Sequence, residues 1–337
     1  MNKISVIGFT SSGKTSYLVG MYNALCNGIS GFSVVENDMD VDLYLDKVWK
    51  NLCENGEFPF PSDSKETYHF SLLQSQKKIR TFEWLDYPGS VLSDGGDMLR
   101  DLSEQLAESS CLLLLVNGAS FAFQGDPDNQ ERIQAASVTD YKQIVSNNLR
   151  NNKDLQAIRQ LNRLGAQGVE LPPIVIVLTK SDLIEDKWAL YAKDILRDNF
   201  SVIFGAPGVT TDRIVMITHT SLGDLDPQNG FRVDPINVEL PIAFGVLSIL
   251  RDDVIKYKLL HANNQTQINT HQKNKFTRWL NSDTLNALKK ENDKCMADIK
   301  AASKDIFKLL DLFDDDKNIY INNVEKNLKV FFRDELK

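Results

Sequence analysis

The run Lys3-Ile4-Ser5-Val6-Ile7 reads as a short strand and leads directly into Gly8-Phe9-Thr10-Ser11-Ser12-Gly13-Lys14-Thr15. Behind it, Tyr17, Leu18, Val19, Met21, Tyr22 and Leu25 can line the buried side of a helix. A G-x-x-x-x-G-K-S/T loop between a strand and a helix constrains the fold more than anything else in the chain, because the motif works only in that setting. Its glycines let the backbone wrap closely around phosphates, with N–H groups and the helix N-terminus aimed at the anion. Gly8, Ser11, Ser12, Gly13, Lys14, Thr15 and Ser16 are the expected phosphate-binding residues. Lys14 would reach the β- and γ-phosphates, and the Thr15 hydroxyl would hold Mg²⁺. A chance glycine turn is the alternative, and the flanking elements argue against it. The chain is expected to bind a nucleoside triphosphate.

Strands and helices alternate through about residue 262, the pattern of a mostly parallel sheet with helices on both faces. Cys111–Val116 and Ile174–Leu178 are continuous apolar runs, as in strands covered on both faces. Tyr68–Leu73 and Thr81–Leu85 read as an antiparallel pair after a polar stretch, and Arg213–Thr218 as the last strand of the sheet. Gln130–Leu164 is helical by spacing and forms the bulk of an insert at about 119–165; Ile242–Lys258 reads as a helix with Pro241 near its start. Asn263–Lys275, rich in Asn, Gln, Thr and Lys, reads as a linker, and Trp279–Leu336 as helices. The expected organisation is a nucleotide-binding domain over 1–262 and a helical region over 263–337.

A net charge of −8 argues against a nucleic-acid or anionic-membrane partner, since both reward positive surface. No apolar run approaches the ~18 residues of a membrane span. The N-terminus passes straight into the first strand without a signal-peptide pattern. Cys26, Cys53, Cys111 and Cys295 are scattered, with no C-x-x-C pair, so reduced thiols in a cytoplasmic protein are expected and a zinc site is not.

Three later segments address which triphosphate binds. Trp84-Leu85-Asp86-Tyr87-Pro88-Gly89 closes a strand with an Asp suited to the Mg²⁺ shell and a Gly whose N–H can meet a γ-phosphate. An ordinary D-x-P-G turn is the alternative. Thr179-Lys180-Ser181-Asp182 follows the apolar run ending at Leu178 and matches N/T-K-x-D. A carboxylate there accepts from guanine N1–H and the N2 amine, which adenine lacks, and the Lys180 stem can pack along the purine. A helix-capping turn is the competing reading. Thr218-His219-Thr220-Ser221-Leu222-Gly223 follows in the place of a loop whose backbone N–H groups, at Ser221 and Leu222, meet guanine O6.

With these motifs in this order, residues 1–262 resemble the P-loop GTPase superfamily. The Asp86-Tyr87-Pro88-Gly89 form, Thr179, the long insert after Val116 and Glu239-Leu240-Pro241-Ile242-Ala243-Phe244 are similar to the bacterial double-GTPase or conflict-system GTPases. The resemblance implies a Ras-like α/β fold, GTP or GDP with Mg²⁺ as ligands, and Thr15 and Asp86 on the metal. It implies a further metal hydroxyl from a switch segment, for which Ser62, Ser64 and Thr67 stand open, Ser62 aligning with the proline-rich turn of similar domains. Lys14 and the Gly89 N–H would act in catalysis. Thr179 replaces a commoner Asn and is expected to weaken the tie to the phosphate loop.

Ser90 stands where Ras-like enzymes place a water-orienting glutamine and is too short for that task, so slow hydrolysis is expected unless a partner supplies a group. Arg100 lies near this loop in sequence but reads as a solvated helix residue. The implied role is a slow GTPase switch with protein partners at the switch loops or C-terminal helices and a possible homodimer. Its rivals are a nucleotide-binding scaffold that scarcely turns over and an ATPase.

Asp314, Asp316, Asn318 and Glu325 fall at EF-hand ligand positions, but Ile319 occupies the position that needs a glycine. An acidic helix–turn–helix is the competing reading there.

Overall fold

The computed structural model describes residues 2–9, 11–60, 63–91, 96–125, 130–151, 154–205, 213–225, 232–273 and 282–336. The chain divides into two compact units, 1–245 with 318–326 and 246–317 with 327–337.

In the first unit the strands are β1 (Lys3–Ile7), β2 (Phe32–Glu36), β3 (Glu66–Gln74), β4 (Lys77–Asp86), β5 (Cys111–Asn117), β6 (Phe123–Gln124), β7 (Glu131–Arg132), β8 (Ile174–Thr179), β9 (Ile214–His219), β10 (Ser221–Asp224), β11 (Arg232–Ile236), β12 (Asn318–Ile321) and β13 (Val324–Asn327). Among the described residues, nine of them form one sheet in the order β13-β12-β9-β8-β5-β1-β4-β3-β2. β9, β8, β5, β1 and β4 run parallel, the Ras-like arrangement expected from the motifs. Every residue of β8 and all but the last of β5 are buried, which explains their unbroken apolar runs. The helices are α1 (Lys14–Cys26), α2 (Met39–Asn55), α3 (Gly96–Glu108), α4 (Ala119–Ala122), α5 (Val138–Asn151), α6 (Asp154–Ala166), α7 (Asp186–Asn199) and the first turns of α8 (Glu239–Lys273). The register sets Val6 beside Asp86 and Val116 beside Leu178. The loops leaving β1, β4, β5 and β8 therefore emerge at the carboxyl end of the sheet, where α/β proteins bind ligands.

The stretch read as merely polar after the first helix contains an added strand and helix. β2 pairs antiparallel with β3 over Phe32–Glu36. α2 is capped by the Asp38 carboxylate, which accepts from the backbone N–H of Asp40 and Val41, and it ends at Gly56 with φ 67°.

The segment read as helix–turn–helix is a β-hairpin. β12 pairs antiparallel with β9, Ile319 opposite Met216 and Ile321 opposite Ile214. Asn322 and Asn323 turn the chain with φ of 48° and 64°, the two successive positive angles of a type I′ turn. Ile319 sits in a strand, where a β-branched residue is at ease. The calcium arrangement is gone with it. Glu325 pairs with Lys193 at 2.6 Å, and among the described residues no cluster of His, Cys, Asp or Glu could hold a metal ion.

In the second unit, α8 continues past the expected boundary at 262 to Lys273, through most of the stretch read as a linker. Its weak helix formers are offset by packing, with Asn264 and Ile268 buried, and by a bond from Asn292 Nδ2 to Gln265 Oε1 at 3.2 Å. The partner helix is α9 (Ser282–Leu310), and α10 (Leu328–Glu335) buries Leu328 and Phe332. Among the described residues no helix is long and apolar enough to cross a membrane.

Candidate nucleotide-binding site

The loop after β1 is built around positions that reject larger side chains. A Cβ at Gly8 would lie 2.6 Å from Ser12 Oγ and 2.8 Å from the Leu115 carbonyl oxygen. Ser11 and Gly13 are left-handed, with φ of 68° and 82°, and turn the loop so that its amides form a concave cradle for an anion. Among the described residues Ser12 Oγ is buried without a hydrogen-bond partner, a polar atom that a bound phosphate group would satisfy. Lys14 is buried at the start of α1 and donates to the Gly8 carbonyl at 2.8 Å. Burial pushes its pKa down, and the nearby Asp86 carboxylate works the other way.

Asp86 closes β4 and is 1% exposed. The backbone N–H of Tyr87 donates to Val6 O at 3.2 Å, continuing the sheet into the loop, and Pro88, Gly89 and Ser90 line a cavity beyond it.

The loop after β8 is tied to the phosphate loop twice. The Thr179 hydroxyl donates to Ser12 O at 2.7 Å, with Val116 O also 3.1 Å away. Lys180, at φ 51°, donates from Nζ to Ser11 O at 3.1 Å. The brace expected to be weakened by Thr179 is thus present. Gly13 lies beside this bond, and its φ of 82° rather than crowding favours glycine there, since a Cβ would stand at ordinary contact distance, 3.7 Å, from Thr179 Oγ1. Burial also lowers the Lys180 pKa, opposed by the Asp182 charge.

Gly118, not anticipated from the sequence, permits this close approach. Its N–H donates to Thr179 O at 2.9 Å, and a Cβ would fall 2.2 Å from that oxygen. Gly118→Ala is expected to cost about 1–3 kcal/mol, as overpacking does, and to weaken nucleotide binding by displacing Thr179 and Lys180. Denaturant melts beside nucleotide titration check both effects. The one sequence signal was a glycine immediately after the buried strand β5.

The loop after β9 is zipped to its neighbour by the Thr220 N–H to Leu178 O (2.8 Å) and the Ser181 N–H to Thr220 O (3.1 Å). Sequence reasoning assigned Ser221 and Leu222 through their backbones alone. Their side chains also contribute. The Ser221 hydroxyl donates to Asp182 Oδ1, fixing that carboxylate, and Leu222 packs onto Gly20 of α1 so closely that a Cβ there would lie 2.3 Å from it.

These loops surround a cavity of about 770 Å³, a volume suited to a nucleotide. Ser11, Gly13, Lys14, Thr15, Ser16, Gly89, Thr179, Lys180, Asp182, Ser221 and Leu222 line it. Gly8, Ser12 and Asp86 lie behind that lining, buried. Ser62 lies outside the described residues. Ser64 and Thr67 are exposed and do not line the cavity, whereas Asp63, Phe58 and Pro59 do. The orphaned Ser12 hydroxyl, the glycine cradle and the buried Lys14 fit a polyphosphate. The Thr15 hydroxyl and Asp86 carboxylate are oxygen donors of the kind a hard divalent cation takes.

The sequence model described as Double-GTPase 2 matches residues 2–204, more than half of the chain. The chain belongs to the Double-GTPase 2 family. Family membership makes this Double-GTPase 2 chain a GTP-binding protein. No curated protein matches it. Among solved structures it is similar to the mammalian SRP receptor, at 10% identity and a TM-score of 0.34, over 67% of this chain and 95% of that one. It is also similar to the GTP-bound signal recognition particle receptor complex of Chaetomium thermophilum, at 13% identity and a TM-score of 0.30, over 66% and 90%. The GTP-bound Ski7 GTPase-like domain of S. cerevisiae matches at 17% identity and a TM-score of 0.32, over 65% and 42%.

Proposed function

We propose that this Double-GTPase 2 protein is a Mg²⁺-dependent, slow GTPase that works as a nucleotide-dependent switch in the cytoplasm. The observation that carries the reading is the meeting of Lys14, Gly89, Ser90, Lys180 and Asp182 in one cavity. Asp182, oriented by Ser221, accepts from the guanine edge, and Lys180 covers the base while holding the phosphate loop by its ammonium. Lys14 leaves Gly8 O for the β- and γ-phosphate oxygens and, with the Gly89 N–H, neutralises charge as the terminal phosphoryl group departs. Thr15 and Asp86, with a switch hydroxyl for which the sequence leaves Ser62, Ser64 and Thr67 open, would hold Mg²⁺, which would supply positive charge against the same oxygens. Ser90 is too short to orient the attacking water, which accounts for a low rate. A second copy or another protein docking at the switch segments or C-terminal helices would supply the missing group.

Ser90 also favours a second reading, a scaffold that binds GTP and barely turns over, while Lys14, Thr15 and Asp86 oppose it. Single-turnover hydrolysis at low and high protein concentration separates the two. The expected result is a rate at or below roughly 10⁻³ s⁻¹ at low concentration, rising when copies meet. No phosphate release at either concentration would sink the enzyme reading.

A further inference from the structure

Beside the cavity, three side chains from separate segments converge. The Tyr87 hydroxyl donates to Asp101 Oδ2 at 2.8 Å. Lys65 Nζ donates to both oxygens of the same carboxylate, at 3.1 and 2.8 Å, and stands 5.5 Å from the centre of the Tyr87 ring. Tyr87 lies within the Asp86–Gly89 loop, and Lys65 immediately precedes β3, on the segment that carries Asp63 to the cavity.

Asp101 is the fixed member of the three. Its helix α3 sends Leu102 and Leu106, both fully buried, into the core. The far end of α3 is held by Lys3 of β1, which donates to Gln105 at 2.9 Å and pairs with Glu108 at 2.5 Å. An isolated ion pair as exposed as Lys65–Asp101 contributes little. The phenol changes that, because Tyr87 is wholly buried and its hydroxyl must be satisfied by this carboxylate. Burial tends to raise the Asp101 pKa, but the hydrogen bonds from Lys65 and Tyr87 outweigh it and hold the carboxyl below its ordinary range. Burial and the bond to Asp101 push the Tyr87 phenol well up, so it remains a donor.

We infer that Asp101 is a positioning residue that binds the Asp86–Gly89 loop and the segment leading into β3 into one unit, so that both meet the γ-phosphate already ordered. The inference rests on the GTP-switch reading. A loop held in its binding conformation pays less ordering cost when the ligand arrives. Gly89 would touch only the γ-phosphate, so that saving belongs to GTP, whereas Asp86 is the last residue of β4 and is held by the sheet with either nucleotide. GDP rests on the phosphate loop and the base loops, to which, among the described residues, none of the three side chains is hydrogen-bonded. Loss of the cluster therefore lowers affinity for GTP and not for GDP.

The test is calorimetric titration of the full chain with GDP and with a non-hydrolysable GTP analogue, both with Mg²⁺. Asp101→Ala is expected to lower analogue affinity about 10-fold, the scale of a lost hydrogen bond to a charged group, and to leave GDP affinity within about twofold. Tyr87→Phe, which keeps the buried ring, gives a smaller shift in the same direction and tests the idea if Asp101→Ala folds poorly. Asp101→Asn, which keeps an acceptor, restores part of the preference. Tyr87→Phe added to Asp101→Ala adds little, because both remove one interaction. An unchanged analogue-to-GDP ratio in both single variants, or an equal loss for both nucleotides, overturns the inference while leaving the GTP reading intact. Wild-type protein that takes neither guanine nucleotide overturns the GTP reading and the inference with it.

Discussion

Lys14→Ala is expected to remove measurable nucleotide binding while leaving the nucleotide-free protein as stable as the wild type. Lys14 is the cation inside the phosphate cradle, 8% exposed, with its ammonium against Gly8 O. Burial already disfavours its charged form, as the lowered pKa records, so the protein without ligand gains little from keeping the ammonium there. Truncation gives up one hydrogen bond to a carbonyl that water from the cavity can replace. With nucleotide the balance reverses, because the ammonium then faces triphosphate oxygens in a site partly shielded from solvent. Truncating one partner of such a pair costs about 3–4 kcal/mol, or 10²–10³ in affinity. Thermal shift assays separate the two states. At a GTP concentration 100 times the wild-type Kd, wild type gains about 2.7 kcal/mol, whereas the variant gains under about 0.5 kcal/mol. A full shift in Lys14→Ala would mean that the ligand's phosphates lie elsewhere.

The features legible in the sequence were those with a local cause. β5 and β8 are buried on both faces, so their apolar character appears as unbroken runs. The phosphate loop, Asp86-Gly89 and Thr179-Asp182 stand at strand ends, where their positions follow from the strands. What stayed hidden depends on partners far away in the chain. Ile319, Tyr320 and Ile321 are three consecutive apolar residues whose spacing suits a helix as well as a strand, and only pairing with Ile214–Met216 decides for the strand. The pair Asn322-Asn323 was the local clue, since asparagine tolerates positive φ better than most residues. α2 buries only Leu45 and Leu52, but Val41, Leu45, Val48, Trp49 and Leu52 stand at helical spacing among its charged residues, so this helix, overlooked in the stretch read as polar, was legible. Asn264 and Ile268 lie in a composition that suggests a linker, yet both are buried on α8, where tertiary packing overrides weak propensity. The site shows the same division. The type and order of its residues were readable, but the bonds from Thr179 to Ser12 and from Ser221 to Asp182 join segments 167 and 39 residues apart.

That last bond decides how Asp182→Asn should behave. Guanine presents two donors, N1–H and the 2-amino group, and a carboxylate accepts both. An asparagine offers one acceptor and one donor, so GTP meets an N–H facing its 2-amino group. Losing a charge-assisted pair and leaving donors opposed is expected to cost about 3–5 kcal/mol, or about 10²–10⁴ in affinity. Xanthine differs from guanine by a carbonyl at position 2, which accepts where guanine donates. The Ser221 hydroxyl now donates to Asp182 Oδ1, and in the variant it can hold the amide oxygen in that position, leaving the NH₂ group as the donor for the xanthine 2-oxo group. Xanthosine triphosphate should therefore bind the variant more tightly than GTP does, reversing the wild-type order, and ATP should gain nothing. Competition titrations with the three triphosphates on wild type and variant measure the reversal. Because Asp182 is exposed and the exchange is isosteric, stability should stay within about 0.5 kcal/mol, so any change in base preference is read from a folded protein. An unchanged order of preference would place the base away from Asp182 and leave only the phosphate half of the site standing.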